Sequence, residues 1–259
     1  MKAPLGTAAP APMLEICADS LGSAAAAAAG GADRLELCAN LPEGGTTPSA
    51  GLIRAARAVF PGRLMILIRP RGYDFLYSEP EMDAMLHDIS TTRALGADGV
   101  VIGCLTREGR IDEDRSRRLI AAAGDLDITF HRAFDMASDL NQALEDVIKL
   151  GIRRVLTSGG QPDVPRGIHV IADLVQRAAG RISIMPGGGV TPDNLADVRR
   201  RTGAREIHLS ARHVVRSSML HRNEHCGMGV HSQGREYEWR ETSAENVRRA
   251  KEALASSAK

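Results

Sequence analysis

Lysine is almost missing from this 259-residue chain. Lys2, Lys149, Lys251 and Lys259 are the only examples, and none falls at the end of an expected strand. Chemistry through a lysine Schiff base therefore lacks its nucleophile. Aromatic residues are scarce too, at 3%. Small and aliphatic side chains must fill the core, as where helices pack closely on a parallel sheet. No apolar run reaches the length of a membrane span, which excludes a spanning helix. Cys17, Cys38, Cys104 and Cys226 form no CxxC pair. Free thiols in a reducing cytosol are expected, and a disulfide framework is not. The net charge is +1, which gives no reason to expect nucleic acid or a membrane surface as a partner. No Gly-x-Gly-x-x-Gly follows the first apolar run, so a doubly wound open sheet is only the second choice of fold.

What is present is a repeated unit of helix, glycine, short turn and apolar strand. It reads Gly-Gly-Ala-Asp-Arg-Leu-Glu-Leu-Cys at 30–38 and Gly-Ala-Asp-Gly-Val-Val-Ile-Gly at 96–103. It returns as Gly-Ile-Arg-Arg-Val-Leu-Thr-Ser-Gly-Gly at 151–160 and Gly-Ala-Arg-Glu-Ile-His-Leu-Ser at 203–210. Each glycine suits the left-handed position that ends a helix. Further strands are expected at Met13–Cys17, Leu64–Arg69, Asp127–His131 and Arg181–Pro186, with a helical segment after every strand. Thr47-Pro48 and Thr191-Pro192 read as helix starts, cap followed by proline. Eight strand–helix units predict an α/β fold, a (β/α)8 TIM barrel with a parallel eight-stranded sheet. Residues 13–259 are expected to form one domain. Met1–Pro12 is expected to be a disordered leader, with Met13 a second candidate start. A long connection of about 211–243 joins strand eight to the last helix and reads as a lid or a subunit contact.

In such barrels the functional face lies at the C-terminal strand ends, and residues two apart share a face. Glu15 and Cys17 on strand one, and Glu36 and Cys38 on strand two, are therefore expected to point inward together, since an unpaired carboxylate is too costly among the helices. The thiols are either small core fillers or ligands. Strand three offers Arg69 and Arg71. Strand five offers His131 and Arg132, with Asp135 close behind. His131 is a candidate general acid or base, with Glu15, Glu36 and Asp135 as acidic counterparts. Ser158, Gly159 and Gly160 after strand six, Gly187, Gly188 and Gly189 after strand seven, and Ser210 and Arg212 after strand eight suit an anion, because glycine turns expose amides. Soft thiolates of Cys17 and Cys38 select Cu(I). The segment 221–231, with His221, His225, Cys226, Met228 and His231, is a weaker metal candidate that matches no structural zinc spacing.

Six ordered segments carry a resemblance. They are Glu-Leu-Cys-Ala-Asn-Leu-Pro-Glu-Gly-Gly-Thr-Thr-Pro-Ser (36–49), Ile-Arg-Pro-Arg-Gly (68–72), Asp-Phe-Leu-Tyr-Ser (74–78), Thr-Phe-His-Arg-Ala-Phe-Asp (129–135), Leu-Thr-Ser-Gly-Gly-Gln (156–161) and Met-Pro-Gly-Gly-Gly-Val (185–190). Together they resemble the CutC family of copper homeostasis proteins over essentially the whole chain from Met13. The resemblance implies a TIM barrel, a cytoplasmic location, self-association with a dimer favoured, and copper ion binding with Cys17 and Cys38 as ligands. The arginines and glycine turns suit an anion instead. The alternative expectation is thus an enzyme that works by acid–base chemistry on a small phosphorylated or carboxylated metabolite. A non-catalytic scaffold is the third.

Overall fold

The computed structural model describes residues 11–223, 225–227 and 236–256; the leader expected over Met1–Pro12 lies almost wholly outside them. Eight strands form one parallel sheet: β1 (Met13–Ala18), β2 (Arg34–Leu37), β3 (Arg63–Leu67), β4 (Gly99–Ile102), β5 (Asp127–Phe130), β6 (Arg154–Thr157), β7 (Ser183–Pro186) and β8 (Glu206–Leu209). They hydrogen-bond in chain order from β1 to β7, and β8 pairs with β1. A single parallel bridge between Gly187 and His208 joins the remaining gap. The expected TIM barrel is therefore present, closed tightly everywhere except between β7 and β8.

Helices α1 (Leu21–Gly30), α2 (Ala50–Val59), α3 (Glu79–Ala94), α4 (Glu113–Ala123), α5 (Leu140–Lys149), α6 (Val164–Ala178), α7 (Leu195–Thr202) and α8 (Ala244–Ser256) alternate with the strands. Two expected starts are corrected. Ser49, not Thr47, caps α2, accepting from the Leu52 amide. Thr47 instead exchanges backbone and side-chain bonds with Arg69 of the neighbouring loop. The helix after β7 begins at Leu195, because Thr191 and Asn194 bond each other in the turn before it. At Thr47 the neighbouring loop takes the hydroxyl, whereas Thr191 still accepts the amide three residues on, so there only the first helical residue moves.

Alternation along each strand splits the core in two. Leu14, Ile16, Leu35, Leu37, Leu64 and Ile66 are fully buried in the large apolar layer between sheet and helices. Cys17, Cys38, Met65, Leu67 and Val101 pack in a separate cluster inside the barrel. Below them lies a charged layer. Arg34 of β2 pairs with Glu15 and Glu206, while Arg154 of β6 pairs with Glu206 and Asp127 at 2.7 and 2.9 Å. Burial works against these charges, but the facing partners outweigh it and hold the Glu206 carboxyl below its ordinary range.

The connection 211–243 carries two short strands. β9 (Arg212–Arg216) and β10 (Glu238–Thr242) pair antiparallel, with Trp239 opposite Val215. Lys149 stands exposed at the end of α5, 2.9 Å from Glu113. No helix among the described residues is long and apolar enough to cross a membrane.

Candidate functional site

The register of β1 and β2 sets Cys17 beside Glu36, and their side chains meet inside the barrel. Cys17 Sγ lies 3.5 Å from Glu36 Oε1 and 3.8 Å from Cys38 Sγ. The expectation that Glu15, Cys17, Glu36 and Cys38 point inward is thus met. Three of the cysteines are buried and all four are free. Contact with Cys38, burial and the neighbouring Glu36 push the Cys17 thiol up, so it is protonated in the absence of a metal. Burial likewise raises Glu36, and its Oε2 atom has no partner.

His208 of β8 completes this floor. Its Nδ1 is 2.7 Å from Glu15 Oε1. Burial opposes a charge on the ring, yet the Glu36 and Glu15 carboxylates outweigh it and raise the imidazole well above its ordinary value. Burial would also raise Glu15, but Arg34 and His208 hold it far down. A carboxylate–imidazolium pair, Glu15 with His208, therefore sits under Glu36 and the two thiols. Cys17, Glu36 and His208 each offer a ligand atom within 4.8 Å of one another, the one such trio among the described residues.

Above the floor opens a cavity of about 540 Å³. Its walls include Arg69, His131, Arg132, Gly188, Gly189 and Arg212. Arg69 spends its terminal nitrogens on the carbonyls of Glu43, Gly45 and Tyr73, holding two loops together, while its Nε keeps no partner. Arg132 donates to Asp135 at 2.8 Å and to Ser158 Oγ at 2.6 Å. Arg212 forms no ion pair among the described residues, and its buried Nε is unpartnered. His131 accepts the Ala133 amide on Nδ1 at 3.1 Å, so the ring hydrogen is on Nε2, which has no acceptor. Burial and the Arg69 charge lower its pKa to about 3.

Several expectations change. His131 was expected to titrate near neutrality; buried beside a guanidinium, it is a neutral hydrogen-bond donor. Glu15 does not face the cavity but lies beneath it, holding His208 and Arg34. Cys38 also sits behind the wall. Arg71 shares a strand face with Arg69 only in principle. The chain turns after Ile68, and Arg71 is drawn to Glu81 at 2.5 Å and Asp74 at 2.9 Å, over the Tyr77 ring. Ser158, Gly159 and Gly160 do form an anion cradle, but the protein fills it. Asp135 accepts the amides of Ser158 and Gly160 and the hydroxyls of Thr157 and Ser158, while the Gly159 amide goes to Thr157 Oγ1 at 2.8 Å. Gly187, Gly188, Gly189, Ser210 and Arg212 do line the cavity.

Sequence reading missed His208, Arg34, Arg154 and Glu206. Period-two counting would have found them. Arg34 is two residues before Glu36, and Glu206, His208 and Ser210 run along one face of β8. In the candidate segment 221–231, His221, His225 and Cys226 are exposed and gather no third ligand among the described residues; Met228 and His231 lie outside those residues.

The two thiols fit a soft monovalent metal. A metal–thiolate bond is about 2.3 Å, so sulfurs 3.8 Å apart can share one ion with little movement. The thioether of Met65 packs in the same cluster. Cu(I) held by two thiolates carries one net negative charge, which the neighbouring His208 imidazolium favours and the Glu36 carboxyl opposes.

Comparison with known proteins agrees on one family. The model of the CutC family matches residues 12–213. A CutC family protein of Chromobacterium violaceum is 51% identical over 242 residues, covering 93% of this chain and 98% of that protein. One from Parabacteroides distasonis is 51% identical over 237 residues, covering 91% and 98%. The crystal structure of a CutC protein from Streptococcus agalactiae, provisionally named for copper homeostasis, is 34% identical with a TM-score of 0.74, covering 77% of this chain and 98% of that one. With these relatives spanning almost their full lengths, the chain belongs to the CutC family.

Proposed function

We propose that this protein binds one Cu(I) ion between Cys17 and Cys38 and serves copper homeostasis in the cytoplasm. The observation that carries the reading is the 3.8 Å separation of the two sulfurs inside the barrel. Copper would reach them through the cavity, since Cys17 lies on its floor. Two thiolates supply soft, low-coordinate ligation, and binding must expel the thiol protons. Glu36, whose Oε1 already accepts the Cys17 thiol hydrogen at 3.5 Å, stands to take a departing proton. Anaerobic Cu(I) titration tests this. Wild type should take up one ion per chain, and the Cys17→Ser/Cys38→Ser double variant should lose it. Equal stoichiometry and affinity in both would overturn the assignment.

A second reading is supported by a separate observation. Four buried side-chain atoms without partners, Glu36 Oε2, Arg69 Nε, His131 Nε2 and Arg212 Nε, belong to residues lining the same cavity. Buried polar atoms are rarely left unpaired, and here four of them sit on the walls of one cavity. In this reading the cavity takes a small phosphorylated or carboxylated metabolite. Glu36 is the acid–base group, His131 a donor to the ligand, and Glu15 and Asp135 position His208 and Arg132. Thermal-shift screening with sugar phosphates and organic acids tests it, and no stabilisation by any of them counts against it.

A further inference from the structure

The unpartnered donors of the cavity fall into two groups on opposite sides of the ring. β3 and β7 stand four places apart in the eight-stranded order, so the end of β3 faces the turn after β7 across the mouth.

On the β7–β8 side, the backbone turns through Gly188 and Gly189 at φ of +103° and +75°. Their amides donate to no acceptor among the described residues. Arg212, at the start of β9, adds a guanidinium without an ion pair. The Arg132 guanidinium lies against Gly188 and Arg212 lines the same cavity, so consecutive amides at positive φ and two guanidinium groups offer donors for the oxygens of a phosphate or carboxylate. The acidic neighbours are already committed. Asp163, behind Gly189, caps α6 and pairs with Arg166, and Asp135 holds the turn after β6.

On the β3–β5 side stand Arg69 and His131, which are 6% and 5% exposed. Phe75 packs against both, its ring centre 5.0 Å from the Arg69 guanidinium carbon and 5.0 Å from the His131 ring centre. The Arg69 Nε and His131 Nε2 hydrogens have no acceptor. The bond from Ala133 to Nδ1 fixes the tautomer, so Nε2 always presents a hydrogen.

The geometry points to a bipartite ligand: a short-chain metabolite whose phosphate or carboxylate sits at Gly188, Gly189 and Arg212 and whose carbonyl oxygen accepts from His131 Nε2, with the Arg69 charge nearby. The inference deepens the metabolite reading and rests on it. A neutral imidazole donor polarises a carbonyl without delivering a proton, and a nearby guanidinium stabilises the charge drawn onto the oxygen. His131 is therefore the recognition donor for the carbonyl, and burial with the Arg69 charge keeps its ring neutral. A cavity of about 540 Å³ has room for a skeleton of a few carbons between the two ends.

Calorimetric titration of the full chain with inorganic phosphate, dihydroxyacetone phosphate and pyruvate tests both levels. Either carbonyl compound should bind at least about ten-fold more tightly than inorganic phosphate, the worth of one or two good hydrogen bonds. Preference between the two compounds assigns the anion as phosphate or carboxylate. Arg212→Ala should weaken every anion, whereas His131→Phe should weaken only the carbonyl compounds. In wild type, ¹⁵N NMR should show His131 Nε2 shifting with a carbonyl compound and not with phosphate. No binding of any of the three overturns the metabolite reading itself. Anion binding that depends on Arg212, with His131 unmoved in the NMR spectrum, overturns only the bipartite ligand.

Discussion

Ser158 gives both its amide and its hydroxyl to Oδ2 of Asp135, at 2.9 and 3.0 Å. With the Gly160 amide and Arg132 Nε also on this carboxylate, a glycine turn that reads as a ligand site is an internal joint. The side chain of residue 135 is the anion. Asp135→Asn should cost about 2–3 kcal/mol, the range for bonds to a charged group, since an amide cannot accept from all these donors. Urea unfolding measures the loss, and hydrogen exchange should rise at 158–160. Unchanged exchange there would show that the joint does not hold the turn.

The charged layer beneath the site depends on Glu206, which bridges Arg34 and Arg154. Glu206→Gln leaves two buried guanidinium groups short of a counter-charge, which should cost about 3 kcal/mol. The sign with pH follows from the lowered pKa of Glu206. Its ionised form stabilises the fold above the ordinary carboxylate range, and that stability is lost as pH falls through the folded-state value. The gap between wild type and variant should therefore narrow in acid. A gap that stays constant down to pH 3 would contradict this assignment.

His131 acts in the same direction by a different route. Its pKa is lowered from 6.5 to about 3 by burial and Arg69, so the folded state refuses a proton that the unfolded chain accepts. The group favours folding above pH 6.5 and increasingly opposes it below. At pH 5 the difference is about 2 kcal/mol at about 1.4 kcal/mol per unit. His131→Phe should flatten the acid limb of stability by that amount between pH 7 and 5. An identical limb in both proteins would mean that the ring titrates freely.

Gly167 poses helix propensity against packing. Alanine in place of glycine within α6 should add about 1 kcal/mol on propensity alone. A β-carbon at 167, however, would overlap the carbonyl oxygen of Ser158 and approach Gly159 Cα at 3.1 Å. Backbone cannot swing aside as a side chain can, so the overlap should win. Gly167→Ala is expected to lose about 1–3 kcal/mol net, read from the denaturation midpoint. A gain in stability would show that α6 can slide away from the turn after β6.

Much of the architecture was legible because it depends on local rules. The repeated glycine before each of four strands ends a helix wherever it falls, and it does so at Gly151 and Gly203 with φ of 75° and 71°. The inward set Glu15, Cys17, Glu36 and Cys38 followed from strand alternation plus the cost of burying a bare carboxylate. Misreadings came where the chain leaves a strand. Alternation stops at Ile68, so Arg71 could not be placed by counting from Arg69. Thr47 carried a capping signal that the loop at Arg69 claimed first.

The sequence by itself determined the barrel, the family and the residues that crowd its mouth, because periodicity, glycine placement and side-chain chemistry are properties of neighbours along the chain. Only the tertiary structure decided which polar groups are spent and which are open. Asp135 meets Ser158 across 23 residues, and His208 meets Glu15 across 193. Pairings at such distances along the chain exist only once the ring brings the strands together. Of the buried side-chain atoms left without a partner among the described residues, four belong to residues that line the cavity: Arg212 Nε, Arg69 Nε, His131 Nε2 and Glu36 Oε2.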